Sequence, residues 1–301
     1  GVAEPLSAGA MSDGGAEGGG ASVKDTLSLV GGLKRVVKGK PNVSLVFWFS
    51  TIREHPLGGL VGGLLACNPQ WRDFMGDRVD PLQDLDGVAM YGPRMSETSK
   101  LTVLAQSRMD DAKLQKIMGF LAQQGGGFID SEGPLRAVRF HADRADRVAF
   151  VHPRNMIVVA PPEGFEQLRD QREPMSLPPG RGQAMSLTMV TPWRPLRAVG
   201  AHLPESLSEI RISAFAAPDG GVNLQIEFDD QDAASAEVHA PQITEQVRGL
   251  AGPLLSDIEF VAQGHHIAAQ THLGRITSAL ALGFVRGSIC PAGGFDGGRS
   301  H

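Results

Sequence analysis

The chain has 301 residues, 42% hydrophobic and 20% charged, an ordinary globular composition whose length sets an expectation of about two domains. A net charge of -5 lacks the basic surplus on which nucleic-acid affinity depends. With Phe 13, Trp 3 and Tyr 1, the chain is also poor in the aromatics that carbohydrate grooves and base-stacking platforms use. Cys67 and Cys290 have no CxxC or Cys/His cluster around them, so zinc has no framework. One disulfide between them is open in an oxidising compartment, but two unpaired buried thiols are the preferred reading.

Residues 1–23 are rich in Gly, Ala and Ser and lack the apolar payload that would offset ordering entropy, so a disordered tether is expected. The chain opens on Gly1 rather than Met, and an upstream signal peptide or anchor is one explanation for such a tether. The basic stretch Lys34–Lys40 reads as a solvated lead-in to the first strand rather than a phosphate site.

A first α+β domain is expected over 24–172. Val43–Ser50 is a short apolar strand, followed by a helix through about Asn68. Leu57–Cys67, LGGLVGGLLAC, is too short to span a bilayer, and no run of about 18 apolar residues occurs anywhere. Its overlapping G-x-x-x-G spacings imply a core helix lying close to a sheet. Its glycines lack the G-x-G-x-x-G order of a dinucleotide turn. An acidic connector, Asp73, Asp77, Asp80, Asp84 and Asp86, reads as turns and strand-entry caps rather than a calcium loop.

Strands are expected at Leu85–Tyr91 and Lys100–Arg108. Asp110 then caps a helix from Asp111 to about Gln124, with Leu114, Ile117, Met118 and Leu121 on one stripe. Further strands follow at Leu135–His141, Arg147–Val151 and Met156–Ala160, then a short helix to about Arg172. Met75, Met90, Met95, Met109, Met118 and Met156 crowd this half. Core packing is the default explanation, and an apolar ligand cleft between sheet and helices is the alternative.

Residues 173–183, rich in Pro and Gly, read as an interdomain linker, with a second α+β domain over 184–290. Met185, Leu187 and Met189 alternate along a strand, and a short helix is expected over Arg194–His202. Pro218-Asp219-Gly220-Gly221 joins strands Glu209–Phe215 and Val222–Phe228 as a hairpin. Val222, Leu224, Ile226 and Phe228 alternate with Asn223, Gln225 and Glu227, predicting one packed face and one wet face. A long helix carries Ile243, Val247, Leu250 and Leu254 on one stripe. Strands Ile258–Gln263 and His265–Leu273 and a helix over Arg275–Ile289 complete the domain, and 291–301 reads as a disordered tail.

The two halves repeat a strand, helix, strand, strand, helix order. The expected architecture is therefore two tandem, distantly duplicated domains, each a mainly antiparallel sheet with helices on one face.

No catalytic, cofactor-binding or metal-ligating set emerges. G-x-S-x-G, S-x-x-K and P-loop patterns are missing from the sequence. His265 and His266 should point to opposite faces of a strand. His266 and His272 share a face but stand about 20 Å apart at 3.3 Å per residue, too far for one ion.

Asn68-Pro69-Gln70-Trp71-Arg72-Asp73-Phe74, followed by Asp80-Pro81-Leu82-Gln83-Asp84-Leu85-Asp86-Gly87-Val88, resembles a group of uncharacterised bacterial envelope proteins. In that group a D-P-x-x-D-L-D connector precedes an apolar strand. The resemblance covers mainly residues 44–124 and implies an exported, anchored, periplasmic or cell-envelope protein, with no catalytic residue carried over. The leading expectation is a non-enzymatic envelope module that binds a partner protein or an apolar ligand, without a membrane span of its own. The rivals are a hydrolase assembled from scattered residues such as Asp86, His141 and His266, and a structural subunit of an envelope assembly.

Overall fold

The computed structural model describes residues 25–33, 37, 41–67, 78–94, 97–130, 137–142, 144–169, 174–197 and 200–290. The expected tether and tail, most of Lys34–Lys40, the Asn68–Phe74 motif, Asp73 and Asp77 lie outside these residues.

The strands are β1 (Val43–Phe47), β2 (Leu85–Gly92), β3 (Thr102–Ser107), β4 (Phe128–Asp130), β5 (Ala137–Ala142), β6 (Ala145–His152) and β7 (Met156–Ala160) in the first half. The second half supplies β8 (Gln183–Val190), β9 (Glu209–Ala216), β10 (Val222–Asp229), β11 (Val261–Gln263) and β12 (His266–Leu273). Helices are α1 (Phe49–Glu54), α2 (Gly58–Cys67), α3 (Pro81–Asp84), α4 (Asp111–Gln123), α5 (Pro162–Arg169), α6 (Trp193–Arg197), α7 (Ala233–Ala251) and α8 (Arg275–Ile289). The mixed helix and antiparallel strand content is that of an α+β protein.

The two expected sheets are one. Twelve strands run in the order β11-β12-β10-β9-β8-β1-β2-β3-β7-β6-β5-β4, antiparallel throughout. The join is β1 against β8, with Leu45 opposite Leu187 and Phe47 opposite Met185. Separate sheets would leave both strands as apolar edges with unpaired backbone groups, and pairing them removes that exposure.

Register assigns the faces. Leu45 and Phe47 lie opposite Met90 and Val88 on one side and opposite Leu187 and Met185 on the other. The same face continues through Ile210 and Ile212 of β9, Ile226 and Phe228 of β10, and Ile267 and Ala269 of β12. On it α4 packs Leu114, Ile117, Met118 and Leu121, the stripe read from sequence. At the other end α7 packs Ala236, Ala240 and Ile243. Leu250, placed on the stripe by its spacing, is exposed in the last turn of the helix, which Gly252 caps.

Helices do not keep to one face, as the sequence reading expected. On the opposite side, α5 and the segment around Leu27, Val30 and Leu33 cover the first half, burying Val46, Leu104, Val158 and Phe150. Strand β7 is therefore buried on both faces along its length. The described part of 173–183, expected as an interdomain linker, packs: Met175 is fully buried, Ser176 bridges Gly31, and Trp48 Nε1 donates to the Pro178 carbonyl at 2.8 Å.

Local chemistry explains the remaining differences. The helix expected through Asn68 breaks at His55-Pro56, because a residue before proline is pushed out of the helical region; His55 sits at φ -81, ψ 143. Asp80 caps α3 by accepting from the Leu82 and Gln83 amides, and Asp110 caps α4 by accepting from Lys113 N. His265 stands in the turn with Gly264 (φ 63) rather than in β12, so its ring lies 3.8 Å from that of His266 instead of diverging from it.

Tyr91, the chain's single tyrosine, packs against the core of the second face. Burial raises its phenol to about 12, against a smaller opposing contribution from its hydrogen bond with Thr102. A raised acid contributes stability that is complete below the unfolded value near 10 and is lost as pH climbs toward 12. Phenolate absorbance during alkaline titration should therefore appear well above the free-tyrosine value and together with unfolding. A midpoint near 10 in a still-folded chain would contradict this burial.

Candidate functional site

A cavity of about 730 Å³ lies between the shared face of the sheet and the helices α2 and α8. Its floor crosses both halves: Val103, Met90, Val88, Phe47 and Leu45 from the first, and Met185, Ala214, Ala216, Val222 and Leu273 from the second. Register puts these side chains on one surface, since Val103 faces Met90, Met90 faces Leu45, Met185 faces Ala214, and Ala216 and Leu273 both flank Val222. Two alanines of β9 and Ala184, inserted at the β-bulge in β8, provide little side-chain volume in the second half of this floor.

The roof is apolar but barely buried. Gly58, Val61, Leu64 and Leu65 of α2 and Ser278, Ala281, Leu282 and Val285 of α8 line the cavity. Yet α2 buries only Gly58, and among the described side chains of α8 only Ser278 is buried, its hydroxyl donating to the Leu273 carbonyl at 3.0 Å. Helices this rich in leucine, valine and glycine ordinarily press an apolar stripe onto a core. Here Val61 and Leu65 reach the edge of the first-half core, and the rest of the stripe borders the cavity mostly half-buried.

Cys67, at the end of α2, and Cys290, just past α8, form a disulfide with Cα atoms 5.5 Å apart. This corrects the preferred reading of two unpaired buried thiols. The helices bring together residues separated by 223 positions, and both cysteines are only half-buried. Sequence spacing carries no signal for such a pairing, because it depends on where two helices from opposite halves come to rest.

The ionisable lining residues are Arg147 and His55. Arg147 is buried at the β6 end, its guanidinium donating to the carbonyls of Thr98 (2.6 Å) and Leu101 (2.5 Å). His55 Nε2 lies 2.9 Å from the Gly221 carbonyl, tying α1 to the β9–β10 turn. Met90 and Met185 line the floor, Met109 and Met118 pack under α4, and Met156 is buried on the opposite face. Met75 and Met95 lie outside the described residues. Of the four described methionines in that half, Met90 alone lines the cleft.

The scattered catalytic candidates stay scattered. Asp86 lies near Arg108 (3.6 Å) and Arg53 (4.0 Å), His141 near Asp146 (3.3 Å), and His266 near Asp229 (2.7 Å). Along the sheet β12 and β2 are five strand steps apart and β2 and β5 four. At about 4.8 Å per step these are roughly 24 and 19 Å. None of the three lines the cavity. His272 contacts Asn223 Oδ1 and Asp219 Oδ2 at 2.8 and 2.9 Å. Among the described residues no group of three or more His, Cys, Asp or Glu is disposed to hold a metal ion.

Two polar clusters were missed from sequence. On the sheet face away from the cavity, expected to be wet, Arg211 donates to both oxygens of Asp229 at 2.7 Å, to Glu209 at 2.8 Å and to Glu227 at 3.2 Å. Register explains the gathering: Glu209 faces Asp229, Arg211 faces Glu227, and Asp229 faces His266. Burial alone would raise the Asp229 carboxyl, but hydrogen bonds from Arg211 and His266 outweigh it and hold the group below the ordinary range.

The second cluster joins Ser206, His239 and the buried carboxyl of Asp230. His239 Nδ1 lies 2.6 Å from Asp230 Oδ2 and 3.5 Å from Ser206 Oγ. A serine–histidine relay uses both ring nitrogens, one toward the carboxylate and the other toward the hydroxyl. Both contacts here fall on one nitrogen, so the group fastens the start of α7 and does not activate the serine.

No family model, curated protein or solved structure matches the chain. The disulfide generates the first test of the site's construction. Replacing Cys67 and Cys290 with serine should cost about 2–4 kcal/mol, because the bond closes a very long loop in the unfolded chain. Urea denaturation measures this, and an unchanged midpoint would contradict a staple across the roof.

Proposed function

We infer that this chain is a non-enzymatic cell-envelope module that binds an elongated apolar ligand of the acyl-chain class between sheet and roof. One observation carries the reading: two apolar helices stand over an apolar floor with their inward side chains mostly only half-buried, leaving a cavity of about 730 Å³. That volume lies within the roughly 300–1,000 Å³ of ligand sites, and an apolar lining with few polar groups is the usual composition of such sites. Floor residues from β3 across to β12 make the space long rather than round, which suits a chain-like ligand better than a compact one.

The envelope assignment draws support from the disulfide, since such bonds persist mainly in oxidising compartments. It also draws on the D-P-x-x-D-L-D resemblance. No described helix is long and apolar enough to cross a membrane. The duplication is part of the same reading. Outward from the seam, β1-β2-β3-β7 and β8-β9-β10-β12 follow one plan, each with a long helix after its third strand. The cavity would then lie where two diverged copies meet.

Palmitic acid and the corresponding neutral alcohol serve as probes. Both should bind, and shortening the chain should weaken binding about fourfold per methylene at 0.8 kcal/mol each. Ala214→Trp with Ala281→Trp should fill the cavity and weaken binding more than tenfold while holding or raising thermal stability. Equal binding by that variant, or no binding by the wild type, would defeat the reading.

A further inference from the structure

The roof that encloses the cavity is apolar on its outer side as well. Among the described residues nine large hydrophobic side chains are exposed, and three of them (Leu60, Ile276 and Leu280) belong to α2 and α8 without lining the cavity. Ile276 and Leu280, one helical turn apart, are 78% and 65% exposed, more than any other large hydrophobic described. Surface leucines scattered singly need no explanation, but a concentration on two adjoining helices marks a contact face.

The charges on these two helices have one sign. Helix α2 carries no charged residue. Helix α8 carries only Arg275 and Arg286, one near each end, about 16 Å apart at 1.5 Å per residue. Both are exposed, and neither makes an ion pair among the described residues. A chain of net charge -5 thus presents a surface with two arginines and no carboxylate on its helices.

We propose that the outer face of α2 and α8 docks on an anionic lipid bilayer, which supplies and receives the ligand of the cavity beneath. Helices with apolar side chains toward the acyl boundary and arginines among the headgroups lie in the interface plane. At about 22 Å, 15 residues at 1.5 Å each, α8 is too short to span. It is suited to lie on the surface. The two arginines complement phosphate headgroups, and that complementarity favours a membrane over an uncharged apolar partner. The same two helices form the cavity wall, so their parting at the ends away from the Cys67–Cys290 bond would open a path from bilayer to floor without exposing an acyl chain to water. This step rests on the acyl-ligand reading, whereas the docking itself does not require it.

Flotation of the full chain with phosphatidylglycerol-containing vesicles and with pure phosphatidylcholine vesicles tests the proposal. Wild type should float with the anionic vesicles. Arg275→Gln with Arg286→Gln should weaken that partition about 30-fold at low salt, at roughly 1 kcal/mol for each basic side chain near the surface. Ile276→Asp with Leu280→Asp should weaken it more than 100-fold, at about 1.5–3 kcal/mol per apolar side chain withdrawn. Val238→Asp, at an exposed site on α7 far from this face in sequence, should change nothing.

Wild type that stays with the aqueous phase, or roof variants that float like wild type, would overturn the proposal. So would a dimer in sedimentation velocity that the Ile276→Asp, Leu280→Asp variant dissociates, because a second copy would then cover this face. Palmitic acid titration without vesicles separates the two claims. Intact fatty-acid binding with no flotation removes the docking alone, and flotation without fatty-acid binding removes the cavity reading alone.

Discussion

Everything distinctive about this molecule depends on the backbone pairing of β1 with β8. That single antiparallel seam turns the strands of two chain halves into one floor, with Leu45, Phe47, Met185 and Leu187 side by side at its middle. Without it, the cavity would have half a floor from each part of the chain and no roof shared between them. Helix α2 comes from the first half and α8 from the second, so the Cys67–Cys290 bond repeats above the sheet the union that the seam makes within it.

Side-chain size then decides why the space is not filled. At both ends of the shared face large residues of sheet and helix share a core: Phe140 of β5 with Leu121 of α4, and Phe228 of β10 with Ile243 of α7. Between them stand Ala184, Ala214, Ala216 and Ala281, with a roof helix of GGLVGG composition. Cores are close-packed because voids forfeit dispersion contacts. A void of this size persists only if the surrounding framework is braced elsewhere, and the flanking cores and the disulfide provide that bracing. The face away from the cavity stabilises the second half by other means, through the Arg211 network and the Thr26 hydroxyl, which lies 2.8 Å from that of Ser186 and 2.9 Å from that of Thr188.

Local pattern made much of the fold legible. Alternation in 222–228 and the stripe Leu114, Ile117, Met118, Leu121 gave β10 and α4, and Asp110 marked its helix start. What the pattern could not supply was which strands become neighbours. Periodicity tells a strand which face is apolar, and it says nothing about whether its edge pairs with a strand 140 residues away. The same long-range blindness hid the disulfide, the Arg211 cluster and the cavity. A void is a property of what several distant elements fail to fill. One sequence signal did point to it: Leu57–Cys67 is apolar on every side, a composition that fits a helix with apolar surroundings on both faces.

Hydrogen exchange of the backbone amides in α2 and α8, measured with and without palmitic acid, tests the central claim most directly, because a ligand between roof and floor supplies the packing those helices lack. The account predicts marked slowing concentrated in residues 58–67 and 275–289, with β5, β6 and α4 unchanged. Identical exchange in both helices at saturating palmitic acid would contradict it.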